Sequence, residues 1–156
     1  LYADTVDGYL NKTVAEDWSA LRQEAMALLQ EESGLQEIVS LVGIDALSEK
    51  DRLKLEVSKS IREDYLQQNG FHEIDTYTSL DKQYKMLKLV LLFRKEAERA
   101  LEAGVYLDKI LGLEVRDKIA RSKYIHEDDI AKMDDIAAEL RADIDTLINE
   151  GGVLNA

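Results

Sequence analysis

The residues in this chain whose types could do chemistry are two histidines, thirty-two carboxylates and eight glycines. A phosphate-cradling loop needs the pattern G-x-x-x-x-G-K-[ST], because closely spaced backbone N–H groups must wrap the anion. The glycines stand at 8, 34, 43, 70, 104, 112, 151 and 152, and no pair has that spacing before a lysine. A dinucleotide-binding glycine run is also absent. A di-iron centre in a helical bundle needs Glu-x-x-His on inward faces. Asn69 precedes His72 at that spacing and Lys123 precedes His126, so neither fits. The H-E-x-x-H pattern fails as well, at Thr76 and at Ile130. The acidic clusters lack the glycine of a calcium loop. Without cysteine there is no disulfide, zinc-thiolate site or cysteine nucleophile, and a reducing compartment is compatible. Asp128-Asp129 and Asp134-Asp135 read as solvated charges in first helical turns, and His126 as a surface or capping residue. No catalytic residue and no metal ligand is assigned on spacing.

Two stretches remain. The first is D-A-L-S-E-K-D, Asp45–Asp51, a short acidic corner that follows the apolar run I-V-S-L-V-G-I. Taken locally it is a helix start: Ser48 is the N-cap, with Asp51 three residues on as a variant capping box. The second is Gln67-Gln68-Asn69-Gly70-Phe71. Locally this is a left-handed helix stop with Phe71 folding back on the last turn. Functionally, Phe71 is an aromatic on a loop, offering its face to a planar ligand such as a base.

The elements that must position these stretches are helices. Trp18, Leu21, Ala25 and Leu28 recur on one face of a helix that begins near Ala15. Ser33-Gly34 is expected to end or bend it. Leu35–Val42 then forms a short second helix stopped at Gly43. Leu53, Val57, Ile61 and Tyr65 give a third helix its buried stripe. Phe71–Ser79 has no helical period and reads as a loop. Leu80–Ala103 is a fourth helix ending at Gly104, apolar nearly all round from Met86 to Leu92 and therefore central. Tyr106–Ile125, broken at Gly112, gives one or two shorter helices. Ile130, Met133, Ala137, Leu140, Ile144 and Leu147 form the seam of a last helix ended by Gly151-Gly152. No strand or fixed-period repeat is evident. The reading is an all-α bundle of about six helices.

Composition agrees. The 156 residues suit one domain, 46% hydrophobic and 33% charged. The absence of proline permits long helices. A net charge of −12 argues against nucleic acid and against direct contact with an anionic membrane. The longest apolar run, near Met86–Phe93, falls far short of the ~20 residues of a membrane span. No signal peptide is visible. The chain starts at Leu1 rather than Met, which points to a piece of a longer protein.

The string E-I-V-S-L-V-G-I-D-A-L-S-E-K-D-R-L-K-L-E-V-S-K-S-I-R-E-D-Y-L-Q-Q-N-G-F resembles the C-terminal helical domain of the catalytic A subunits of A-type/V-type ATP synthases, in the alpha/beta ATPase family. The resemblance continues through D-T-Y-T-S-L-D-K-Q-Y-K-M-L and includes W-S-A-L-R-Q-E-A-M-A-L-L-Q-E-E upstream. It is dense from about Trp18 to Phe93 and looser beyond. In the related F-type beta subunit the corner reads D-E-L-S-E-E-D and faces the rotating central stalk. Asp45, Leu47, Ser48, Glu49 and Asp51 match, while Ala46 and Lys50 depart. Three carboxylates and one ammonium leave the corner at −2. Weight thus shifts from raw acidity to shape and helix stiffness.

The resemblance implies residues 1–14 as a lead-in from a nucleotide-binding domain and 15–156 as the C-terminal bundle. It implies a corner, Asp45, Ala46, Leu47, Ser48, Glu49, Lys50 and Asp51, that works as the tip of a lever on the stalk. It places Phe71, and by a less direct match Tyr77, at the rim of an adenine pocket. ATP or ADP with magnesium would belong to the full-length subunit, with no cofactor on this piece alone. The implied partners are the ATP synthase B subunits, in a hetero-hexamer of A and B subunits, and the D subunit of the central stalk. The assembly would couple ATP synthesis or hydrolysis to proton or sodium transport. It would lie on the cytoplasmic side, touching the membrane only through the membrane sector. The composition by itself equally permits a stand-alone acidic helical adaptor for a protein partner.

Overall fold

The computed structural model describes residues 12–66 and 80–155. Among them are six α-helices and no strand. They are α1 (Lys12–Val42), α2 (Glu49–Ser60), α3 (Leu80–Glu102), α4 (Leu107–Leu111), α5 (Glu114–Ala120) and α6 (Lys132–Asn155). Short 3-10 turns lie at Ile44–Ala46, Arg121–Tyr124 and Glu127–Asp129, and a π-helical turn at Ile61–Leu66 continues α2.

Helix α3 is the centre, as its all-round apolar sequence requires. Met86, Leu87, Leu89, Val90, Leu91 and Phe93 are all buried, and Ala97 and Ala100 extend the seam. It packs against all five other helices. Trp18, Ala25 and Leu28 come from α1, Leu53 and Val57 from α2, Leu140 and Ile144 from α6. Each fully buried aliphatic side chain contributes ~1.5–3 kcal/mol, so this cluster outweighs any single surface contact. Helix α3 ends where Gly104 takes φ 93°, with Gly104 N–H on the Leu101 carbonyl and Val105 N–H on that of Ala100. That pair of bonds is a Schellman stop. Gly112 breaks the next segment as expected, separating α4 from α5.

Two expected breaks do not occur. Helix α1 runs unbroken for 31 residues through Ser33-Gly34. The inner stripe continues past them with Leu35 and Val39, both partly buried. A mid-helix glycine costs only ~1 kcal/mol against alanine. Bonds to the second helix hold the segment on both sides of the core. Ser58 Oγ donates to the Leu28 carbonyl, Arg62 reaches Glu32 at 2.7 Å and Lys54 reaches Glu31 at 3.0 Å. Helix α6 likewise passes through Gly151-Gly152 to Asn155. A glycine stop needs a left-handed residue, and among the described residues only Gly43 and Gly104 have positive φ. The expected stop at Asn69-Gly70 and the loop 71–79 lie outside the described residues, as does most of the lead-in 1–14.

Candidate functional site: the corner between α1 and α2

Helices α1 and α2 pack side by side as an antiparallel hairpin, and Asp45–Asp51 is its tip. Gly43 makes the turn. Its N–H still bonds the Val39 carbonyl at 2.9 Å, but φ of 91° swings the chain out of the helix. The backbone closes one 3-10 turn, Ala46 N–H to Gly43 and Leu47 N–H to Ile44. Leu47 alone of the seven corner residues is buried, and it pins the turn to the bundle. Ser48 then caps α2, its Oγ accepting from Asp51 N–H at 3.1 Å. The expected cap is therefore present. The Asp51 carboxylate does not complete the capping box and lies 3.9 Å from Lys54.

The carboxylates differ in occupation. Glu49 reaches across to α4, where its Oε2 accepts the Leu107 N–H at 2.5 Å. Tyr106, the N-cap of α4, makes no side-chain cap bond, so Glu49 fills that role from fifty-eight residues away. The next residues of α2 and α4 meet again in Arg52–Asp108, at 3.7 Å. Asp45 and Lys50 are exposed and make no side-chain bond among the described residues. Beside the corner, four aliphatic side chains point to solvent: Ile38, Leu41, Val42 and Ile44. The sequence shows this run as apolar, but a core strip and an exposed strip look alike in composition.

Phe71 and Tyr77 lie outside the described residues. A recess of about 330 Å³ opens beside the π-helical turn that leads toward them, lined by Lys59, Asp64, Phe93 and Arg116 among others. Two of its charged side chains, Arg116 and Asp64, are paired with neighbours. Arg116 bonds Glu56 and stands over the Phe93 ring, and Lys123 lies 3.3 Å from Asp64. Burial raises the Asp64 carboxyl above its ordinary pKa, against the opposing pull of Lys123. Within the core, Lys82 Nζ bonds the Lys123 carbonyl at 2.9 Å and Glu96 pairs with Arg99, while the buried indole nitrogen of Trp18 has no hydrogen-bond partner among the described residues. His126 caps the 3-10 turn, its Nδ1 accepting from Asp128 N–H, as its position before an acidic turn suggests. Among the described residues no three histidines or carboxylates gather as a metal site, and no helix is long and apolar enough to cross a membrane.

A model of the family described as "C-terminal domain of V and A type ATP synthase" matches residues 7–111. The chain belongs to that family. Relatives named V-type ATP synthase alpha chain agree along its whole length. The protein from Clostridium botulinum strain Eklund 17B is 73% identical over 100% of this chain, and that from Clostridium perfringens strain SM101 is 71% identical over 100%. A Clostridium tetani relative, V-type ATP synthase alpha chain 1, is 66% identical over the same span. In each case the chain spans 26% of the relative's length. Membership of the V and A type ATP synthase family bears out the resemblance carried by the corner and its flanking helices. The family match itself takes in α1 to α4, with α5 and α6 lying beyond it.

Proposed function

We propose that this chain is the moving end of the catalytic A subunit in a rotary A-type/V-type ATP synthase. Whole-length identity of 73% to a V-type ATP synthase alpha chain carries the reading. Nucleotide binding in the full-length subunit swings the α1–α2 hairpin, and its tip, Asp45–Asp51, pushes on the D subunit of the central stalk. In synthesis the stalk pushes back. The architecture supports a lever, since an unbroken 31-residue helix and a braced corner transmit displacement without yielding. The working assembly is the hexamer of A and B subunits with its stalk, on the cytoplasmic side of the membrane, coupled to proton or sodium movement. ATP or ADP with magnesium binds the full-length subunit. The chain alone has no phosphate-gripping loop in its sequence and is expected to show no ATP turnover above buffer.

Phe71, with Tyr77 as its weaker companion, rims the adenine site in this reading. Phe71→Ala in the full assembly should weaken nucleotide binding by ~1–3 kcal/mol, the range for loss of a base-stacking face, while Asp45→Asn leaves it unchanged. Equal affinities for the two variants would remove the adenine assignment. The stalk contact is tested by Ala46→Cys carrying a benzophenone, placed in a full-length subunit lacking other cysteines. Light should join it to the stalk, and a product formed only with neighbouring A or B subunits would refute the lever.

A further inference from the structure

We propose that the tip grips its partner through an aliphatic ledge, Ile38, Leu41, Val42 and Ile44, and that the corner carboxylates mainly hold the ledge in shape. The proposal rests on the stalk reading above and adds the chemistry of the contact. Seven large hydrophobic residues are exposed among the described residues, and four of them fall between positions 38 and 44. Leu41 and Val42 are 76% and 67% exposed, Ile38 and Ile44 41% and 43%. Spacings of three and four put Ile38, Leu41 and Val42 on one flank of α1. The inner face beside that flank is already used, by Leu28, Leu35 and Val39. Because α1 continues through Ser33-Gly34, the flank runs on to the tip, and the 3-10 turn adds Ile44 at its end.

Two of the three corner acids have other employment. Glu49 holds the α4 backbone and Asp51 faces Lys54. Asp45 and Glu37 are the exposed carboxylates beside the ledge, opposed by Lys50. An apolar strip with a weakly acidic rim fits an aliphatic helix face edged by lysine or arginine, and the contact therefore requires such a face on the rotating stalk. A contact of this kind draws its strength from a few desolvated side chains near its centre. Rim charges mostly set the approach rate and the salt response.

The test uses the assembled hexamer of A and B subunits and measures its affinity for the stalk. Leu41→Ser with Val42→Ser should weaken binding about tenfold or more, as expected for loss of central apolar anchors. Leu41→Met with Val42→Ile should restore it, and Asp45→Asn should bind within about twofold of the parent, as rim charges do. All four side chains are exposed, so melting of each variant at the parent temperature confirms that the fold is kept. The benzophenone at Ala46 separates the two layers of inference. A stalk crosslink with undiminished affinity of the serine variant overturns the ledge and leaves the lever. A stalk crosslink with Asp45→Asn as damaging as the serine pair also overturns the ledge, in favour of a charge contact. A crosslink to a second copy of this chain, or none to the stalk, overturns both.

Discussion

Glu49→Ala should loosen the corner from the body of the bundle, and the structure sets the scale. Glu49 Oε2 accepts the N–H of Leu107, a residue with no exposed surface, at the unassisted start of α4. A hydrogen bond to a charged group contributes ~1.5–3 kcal/mol, and an orphaned buried donor costs ~1–3 kcal/mol. The carboxylate itself is open to water, so the lower part of that range applies, about 1–2 kcal/mol. For a chain of this size each kcal/mol moves the melting midpoint by ~2–4 °C, so a loss of about 2–8 °C is expected. Glu49→Gln keeps an acceptor oxygen and should recover at least about half of the loss. Chemical and thermal unfolding of the purified chain measure both. Glu49→Ala melting with the parent, or Glu49→Gln falling as far as Glu49→Ala, would show that the carboxylate does not cap α4.

Gly34→Ala and Gly104→Ala make the same chemical change with opposite sign. At Gly34 an added Cβ meets nothing within 4 Å in a regular helix, so a gain of ~0.5–1 kcal/mol is expected. At Gly104, with φ 93°, a loss of ~1–2 kcal/mol is expected from the left-handed backbone, and urea midpoints give both values. Asp64→Asn probes the partly buried carboxylate beside Lys123. Burial raises the folded-state pKa of Asp64, so between its ordinary and raised values the folded state holds more protons than the unfolded chain. Its ionisation therefore lowers stability as pH rises through that window. Asp64→Asn should gain on the parent at pH 7 and lose that gain toward pH 3, where the parent carboxyl is neutral in both states. A variant weaker at pH 7 than at pH 3, relative to the parent, would show that the Lys123 pair outweighs desolvation.

Helix α3 is legible in the sequence because a segment apolar nearly all round, free of proline and closed by glycine, has few alternatives to a central helix. The Ser48 cap is legible for a similar reason, since its donor is three residues away. Ser33-Gly34 and Gly151-Gly152 mislead because a stop is a backbone dihedral, and residue type only permits it. Packing decides whether the permission is used, and at Ser33-Gly34 the inner stripe carries the helix through. The Glu49 brace was out of reach, because its partner is a backbone group fifty-eight positions away that leaves no mark on composition. The ledge is the subtler case. Periodicity groups Ile38, Leu41 and Val42 on one flank, but only the placement of α2 and α3 shows that the flank has no covering neighbour among the described residues.

The continuity of α1 has a consequence for how the length of this domain can change. Between Glu32, held by Arg62, and Leu41 on the ledge, the helix fixes an angle as well as a distance. One inserted residue advances the tip only ~1.5 Å but rotates the ledge by ~100°. The grip would then face away from its target although the lever had hardly lengthened. Seven inserted residues lengthen the lever by ~10 Å and return the ledge to within ~20° of its bearing. Length variation in this segment is therefore quantised, and a short insertion should be more damaging than a long one of the right phase.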